Sequence, residues 1–122
     1  MVIGAAIDVH RVLGPGLLES AYRLCLVSEL RRRGVEVETE VPLSVSYRGT
    51  QVGCAYRIDL LVERSLIVEL KSVQALDDLH TAQLLTYLRL YCRPLGLLIN
   101  FNVPHLRSGI RRVVQTTTTT LP

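Results

Sequence analysis

The sequence has few of the features that mark small secreted or membrane proteins. Its 122 residues include only three cysteines, Cys25, Cys54 and Cys92, scattered along the chain. This odd number fits neither a disulfide framework nor a zinc site, so we expect them to be small buried hydrophobic side chains. No apolar run reaches the roughly 18 residues of a membrane span, and the N-terminus lacks the basic segment of a signal peptide. These absences predict a cytoplasmic protein that does not bind membranes.

Lysine is also scarce. Of the 14 basic residues, 13 are arginine and one is lysine, Lys71. Lysine carries a compact ammonium group with a tunable pKa, and arginine cannot replace it in that role. The single lysine is therefore a candidate for chemistry. The net charge of +3 is mildly basic and is weak evidence for a polyanionic partner.

The apolar content predicts one folded domain. Apolar residues make up 48 % of the chain, which excludes intrinsic disorder as its main state. A chain of this length can bury one hydrophobic core. We assign residues 1–115 to this domain and expect 116–122, which begin with five threonines, to form a disordered tail.

Hydrophobic spacing predicts elements in the order α-α-β-β-β-β-α-β. The predicted helices are 3–13, 17–33 and 76–91, and the predicted strands are 35–41, 43–47, 51–62, 66–73 and 95–100, with a further candidate at 110–114. In the last helix we expect Leu79, Ala82, Leu85 and Leu88 to face inward. Short turns between strands indicate antiparallel pairing, and the helical return to 95–100 indicates one parallel crossover. The fold class is therefore α/β, a mixed sheet flanked by helices.

Charged residues interrupt the apolar strands. Asp59 lies in the run RIDLLV, and Glu69 and Lys71 lie in LIVELK. If 63–65 form a three-residue hairpin loop, Asp59 lies directly opposite Glu69, and Lys71 shares the face of Glu69. Two adjacent carboxylates repel each other unless a cation lies between them, and carboxylates suit Mg²⁺ or Mn²⁺. The alternative is a salt-bridge cluster with Lys71 on a solvated face.

These residues resemble a known family. Asp59 followed by Glu69-Leu70-Lys71 resembles the D…(D/E)xK signature of the PD-(D/E)XK nuclease superfamily. Gly16-Leu17-Leu18-Glu19-Ser20-Ala21-Tyr22 resembles the GxxExxY motif of small bacterial proteins in that superfamily. The resemblance implies a restriction-endonuclease-like αβββαβ core. It departs from the usual motif at Ile58, where proline commonly precedes the aspartate.

The resemblance also implies roles for individual residues. Asp59 and Glu69 would bind the divalent metal, with the carbonyl of Leu70 as a further candidate ligand. Lys71 would orient or activate the attacking water. Glu19 matches the superfamily's accessory acid; the alternative is an exposed helix glutamate.

Gln83 and Tyr87 resemble the QxxxY element that some branches carry after the lysine strand. They are four residues apart on one helix face and would support Lys71 or a phosphate. Tyr22, the last residue of GxxExxY, is a second supporting residue. The alternative for Gln83 and Tyr87 is an ordinary amphipathic helix.

A metal-dependent nuclease acting on nucleic acid, with DNA as the expected substrate, is the leading hypothesis. Arg31, Arg32 and Arg33 either contact phosphates or form a solvated face, as do Arg111 and Arg112. A homodimer would lengthen the binding groove of so small a chain. The alternatives are a non-catalytic module that binds nucleic acid or protein, and a subunit whose activity needs another protein.

Overall fold

Helices cover both faces of a mixed β-sheet. The computed structural model describes residues 1–53 and 56–116. The three α-helices are α1 (Val2–Leu13), α2 (Glu19–Arg32) and α3 (Asp78–Tyr91). The strands are β1 (Val37–Pro42), β2 (Val45–Tyr47), β3 (Thr50–Val52), β4 (Arg57–Val62), β5 (Leu66–Lys71), β6 (Leu95–Asn100) and β7 (Ile110–Val114), and a short 3-10 helix (Leu106–Gly109) precedes β7.

Five strands form the main sheet, in the order β1-β4-β5-β6-β7. The pair β5–β6 is parallel, because α3 connects the two strands, and the other neighbours are antiparallel. Strands β2 and β3 form a separate two-stranded hairpin. The predicted mixed sheet with one parallel crossover is confirmed.

Two apolar layers enclose the sheet. On one face, α1 and α2 pack over Leu60, Val68 and Ile99. On the other face, α3 packs over Leu61, Ile67 and Leu98. Because β5 and β6 are covered on both sides, their sequences read as nearly continuous apolar runs. Glu69, in the middle of β5, therefore lies in the interior of the fold, whereas Lys71 at the end of the strand is half-buried.

Several sequence-based expectations were wrong in detail. The predicted strand 51–62 is two strands, because β3 leaves the main sheet to pair with β2. The expected inward face of α3 is right at Leu88 and partly at Leu85, but Leu79 is 78 % exposed and Ala82 is exposed. Leu84 and Tyr87, which were not expected to face inward, are buried. The Asp77 carboxylate caps this helix and accepts from the backbone N–H groups of residues 79 and 80. This cap starts the helix at Asp78, six residues before its first buried residue, Leu84.

The cysteines are less buried than expected. Cys92 is exposed and ends α3 in a left-handed conformation, and Cys25 is half-buried. Cys54 lies outside the described residues, as does most of the predicted tail at 116–122. No helix in the described part of the chain is long and apolar enough to cross a membrane.

Candidate active site

The β4–β5 hairpin has the register expected from its loop. Val62 pairs with Leu66 and Leu60 pairs with Val68, so the next positions bring Asp59 opposite Glu69. Beyond Leu60, hydrogen bonds from backbone N–H groups to the two carboxylates replace the backbone-to-backbone hydrogen bonds between the strands. Glu69 Oε2 accepts from the Asp59 N–H at 2.7 Å, and Asp59 Oδ2 accepts from the Leu70 N–H at 2.9 Å. Each acid is thus held by the backbone of the opposite strand.

The strand β4 also twists at Asp59. Ile58 packs with Leu61 in the layer of α3, whereas Leu60 packs in the layer of α1 and α2. Residues two apart in a regular strand share a face, so alternation is broken between residues 58 and 60. At this end the backbone pairing of β4 with β5 stops at Leu60, and the two carboxylates make the contacts beyond it.

Burial raises the pKa of both acids. Glu69 is 4 % exposed, and desolvation together with the negative charge of Asp59 raises its pKa to about 8. The pKa of Asp59 is also raised, mainly by burial. The Lys71 ammonium opposes both shifts. Glu69 is buried and Asp59 is half-buried, and two such acids that repel each other favour a bound cation, because a cation stabilises their ionised forms.

Lys71 lies beside the acids without pairing with them. Among the described residues it forms no salt bridge, and its ammonium donates to Gln83 Oε1 at 3.4 Å. Gln83 Nε2 in turn donates to the Tyr87 hydroxyl at 3.3 Å. Because Glu69 is buried and Lys71 does not pair with it, the structure excludes a salt-bridge cluster on a solvated face. Instead, the ammonium is oriented by Gln83 on α3, whose amide contacts Tyr87 on the same helix.

Glu19 approaches from the other layer. It is exposed at the first position of α2, where a carboxylate is favoured by the helix dipole. Its charge contributes to the raised pKa of Glu69, so the two side chains lie within electrostatic range. The structure thus brings Asp59, Glu69, Lys71 and Glu19 into one region.

The contacts of Tyr22 explain why the GxxExxY motif has its spacing. Its side chain is fully buried, and its ring stacks on Phe101 with centroids 4.4 Å apart. Its hydroxyl donates to the Gly14 carbonyl at 2.5 Å and accepts from the Leu17 N–H at 3.1 Å. The Leu17 carbonyl accepts from Ser72 Oγ at 2.6 Å. Residue 17 is therefore held on both sides, which places the start of α2 next to the lysine strand.

Replacing Tyr22 with phenylalanine tests this arrangement. We expect Tyr22→Phe to lower the free energy of unfolding by about 1–2 kcal/mol, because a part-buried N–H and a part-buried carbonyl lose their partner. Chemical denaturation measures the loss. The control is Tyr47→Phe, since Tyr47 is 64 % exposed in the β2–β3 hairpin. Equal effects at both positions would show that the Tyr22 hydroxyl does not hold the loop.

Two charged residues near the site were missed by sequence reasoning. Arg23, one turn after Glu19 on α2, forms an ion pair with Glu40 at 3.7 Å. Register places Glu40 opposite Asp59 on β1, and its backbone is left-handed, with φ 50°. The charges of both Arg23 and Glu40 act on the pKa of Asp59. The (i, i+4) spacing from Glu19 was the available signal for Arg23.

The arginine cluster lies away from these acids. Arg32 is 13 residues after Glu19 along α2, about 20 Å at the rise of an α-helix. Arg31 donates to the Val37 carbonyl, and Arg33 pairs with Asp8 and with a glutamate of its own helix. Two of the three arginines therefore have structural contacts. Their predicted contact with nucleic acid stays a prediction.

The acids fit a divalent cation of the magnesium type. Each carboxylate uses one oxygen for a backbone N–H, and within residues 1–53 and 56–116 no hydrogen bond reaches the other oxygen. No three acidic, histidine or cysteine side chains converge in the described part of the chain. Mg²⁺ does not need three, since it keeps several waters and is usually bound by one or two carboxylates.

The raised pKa of Glu69 predicts an unusual pH dependence of stability. Because its pKa rises from 4.5 to about 8 on folding, the folded protein binds more protons than the unfolded chain between these values. The metal-free protein should therefore be most stable below about pH 4.5 with respect to this group, and lose about 4 kcal/mol as pH rises to 8. Thermal unfolding in EDTA measures this slope. Glu69→Gln should flatten it, and an unchanged slope in that variant would assign it to other groups.

One of the comparisons with known proteins identifies a family for this chain. The family model of the PD-(D/E)XK nuclease superfamily matches residues 1–113. Neither a curated protein nor a solved structure matches the chain significantly. The match spans every helix and all but the last residue of β7, and includes Asp59, Glu69 and Lys71. The chain therefore belongs to the PD-(D/E)XK nuclease superfamily.

Proposed function

We propose that the protein is a metal-dependent nuclease that hydrolyses phosphodiester bonds in nucleic acid. The observation that carries the proposal is the pair Asp59 and Glu69, held across β4 and β5 by the opposite backbone, with Lys71 unpaired beside them. Membership in the nuclease superfamily supports the same chemistry. Gly16, Glu19 and Tyr22 support a finer placement in the GxxExxY group.

Each residue has a role that follows from its position. Asp59 and Glu69 would hold Mg²⁺ or Mn²⁺ through the oxygens that the backbone leaves free. The cation supplies Lewis-acid neutralisation of charge that develops on the phosphate. Lys71 orients the attacking water and stabilises the same negative charge with its ammonium group. Gln83 is a positioning residue, because its amide contacts the ammonium group.

Arg23 and Glu19 complete the proposed site from α2. Glu19 adds negative charge on the side of Glu69 and would bind the cation through water. Arg23 is 25 % exposed, so its guanidinium can exchange Glu40 for a substrate phosphate. We expect DNA as the substrate, a homodimer as the active species, and the cytoplasm as the location, where nucleic acid and Mg²⁺ are both present.

A cleavage assay tests the proposal. Labelled single-stranded, duplex and branched DNA and single-stranded RNA are incubated with the protein in Mg²⁺, Mn²⁺ or EDTA. We expect cleavage of at least one substrate with metal and none in EDTA. Cleavage that persists in EDTA would contradict the metal site. Binding without cleavage in every condition would favour the non-catalytic module.

A further inference from the structure

A cleft lies between α1, the start of the α1–α2 loop and residues 104–107. This cleft encloses about 390 Å³, a volume suited to a small ligand. Two imidazoles and two guanidinium groups line it, those of His10, Arg11, His105 and Arg107. No carboxylate of the described residues contributes to the lining. The fixed charges of its lining are therefore those of Arg11 and Arg107, and both are positive.

His10 is a buried part of this cleft. The residue is only 7 % exposed, and its Nε2–H donates to the Val103 carbonyl at 2.8 Å. This bond joins α1 to the segment after β6, and residues of both segments line the cleft. In the described part of the chain no hydrogen bond reaches the other ring nitrogen, Nδ1.

The basic side chains of the cleft have few acidic neighbours. Within the described ranges, the side chains of His105 and Arg107 form no ion pair. Arg11 has one acidic neighbour, Asp8, at 3.5 Å, and Asp8 is also bound by Arg33. An anion in the cleft would therefore meet at least one free guanidinium group.

The cleft is close to the candidate active site along the chain. Pro15 lines the cleft, and Glu19 follows four residues later, so their Cα atoms are at most about 14 Å apart. Phosphates follow one another about every 3.4 Å along one strand of a duplex. A strand that passes Glu19 thus reaches the cleft within a few nucleotides.

We propose that this cleft binds a nucleotide of the substrate strand, an inference that rests on the proposed nuclease function. Arg11 and Arg107 take the phosphate, because guanidinium groups bind phosphate oxygens in a bidentate manner. The apolar side chains of Ile7, Pro15 and Leu106 contact the sugar and base. The cleft thereby sets the direction in which the strand crosses the acids.

Binding measurements in EDTA test the cleft without cleavage. The probe is single-stranded (dT)8, added to the ¹⁵N-labelled protein and followed by NMR and fluorescence anisotropy. We expect signals of residues 10, 105 and 107 to shift. The double variant Arg11→Gln/Arg107→Gln should weaken binding at least about tenfold, since each arginine makes a charge-assisted hydrogen bond to phosphate.

The matched control is Arg48→Gln/Arg64→Gln, which removes the same charge from two exposed turns. Binding should then stay within about twofold of wild type, since exposed charges away from the strand contribute little. Equal weakening in both double variants, or shifts confined to other regions, would overturn the proposal. The ¹H–¹⁵N spectra of the variants show whether each is folded.

Further results distinguish a free nucleotide from a nucleic-acid strand as the ligand, and distinguish failure of the cleft proposal from failure of the nuclease proposal. If 5′-dTMP binds as tightly as (dT)8, the cleft is a site for free nucleotides and the substrate-strand assignment fails. If wild type never cleaves but (dT)8 binding depends on Arg11 and Arg107, the nuclease proposal fails and the cleft stands as a nucleic-acid site. If wild type cleaves but Arg11→Gln/Arg107→Gln changes neither binding nor activity, the proposal for the cleft fails and the nuclease proposal stands.

Discussion

Replacing Lys71 with arginine or methionine is expected to reduce cleavage by at least about 100-fold, the usual cost of removing a group that stabilises the transition state. Arginine keeps the charge but replaces a compact ammonium with a broad planar fork, which cannot occupy the same place beside Gln83. Both variants should fold normally, because Lys71 forms no salt bridge among the described residues. Initial rates with Mg²⁺, together with melting temperatures, measure the two effects.

Two separate glutamine variants test how Lys71 is positioned, one beside the ammonium and one as its control. Gln83→Ala removes the acceptor of the ammonium and should lower the rate by about tenfold, since a positioning residue acts through another group. Gln74→Ala removes an exposed amide just after β5 and should leave the rate unchanged. Full activity in Lys71→Arg would show that only a positive charge is needed, and the assignment of Lys71 would be wrong.

The double variant Asp59→Asn/Glu69→Gln is expected to abolish both metal binding and cleavage. In wild type, Mn²⁺ at 100 times its Kd should stabilise the fold by about 2.7 kcal/mol, and in the double variant by nothing. The metal-free double variant should be at least as stable as wild type. Its amide oxygens can accept the same two backbone N–H groups, without the cost of burying negative charge.

Removing two acids elsewhere controls for the general loss of charge. Glu38→Gln/Asp78→Asn changes two exposed acids by the same chemistry and should keep the Mn²⁺-induced rise in melting temperature. The decisive measurement is a thermal scan with and without Mn²⁺ for the three proteins. A rise that survives in Asp59→Asn/Glu69→Gln would locate the cation at another site.

Much of the candidate site was predictable because it is local in sequence. The loop 63–65 sets the pairing of β4 with β5, and a known register determines which side chains lie opposite each other. The length of this loop was therefore enough to pair Asp59 with Glu69. The long apolar runs around them indicated burial, which the 4 % exposure of Glu69 confirms.

The packing of α3 could not be predicted from spacing alone. The helix carries two apolar stripes, one through Leu79 and Ala82 and one through Leu84 and Leu88. Only the stripe that faces Ile67 and the rest of its layer is buried. The cap at Asp77 and the crossover from β5 to β6 fix the rotation of the helix, and both depend on how the chain returns to the sheet.

The sequence by itself determined the fold class, the register of the central hairpin and the acids and lysine of the candidate site. Tertiary structure decided how the two layers meet there. Arg23 reaches Glu40 only because α2 packs beside β1, and His10 bonds to a carbonyl 93 residues away. The physical reason is the range of the interactions. Turn length and side-chain alternation act over a few residues, whereas contacts between layers depend on how every helix packs against the sheet.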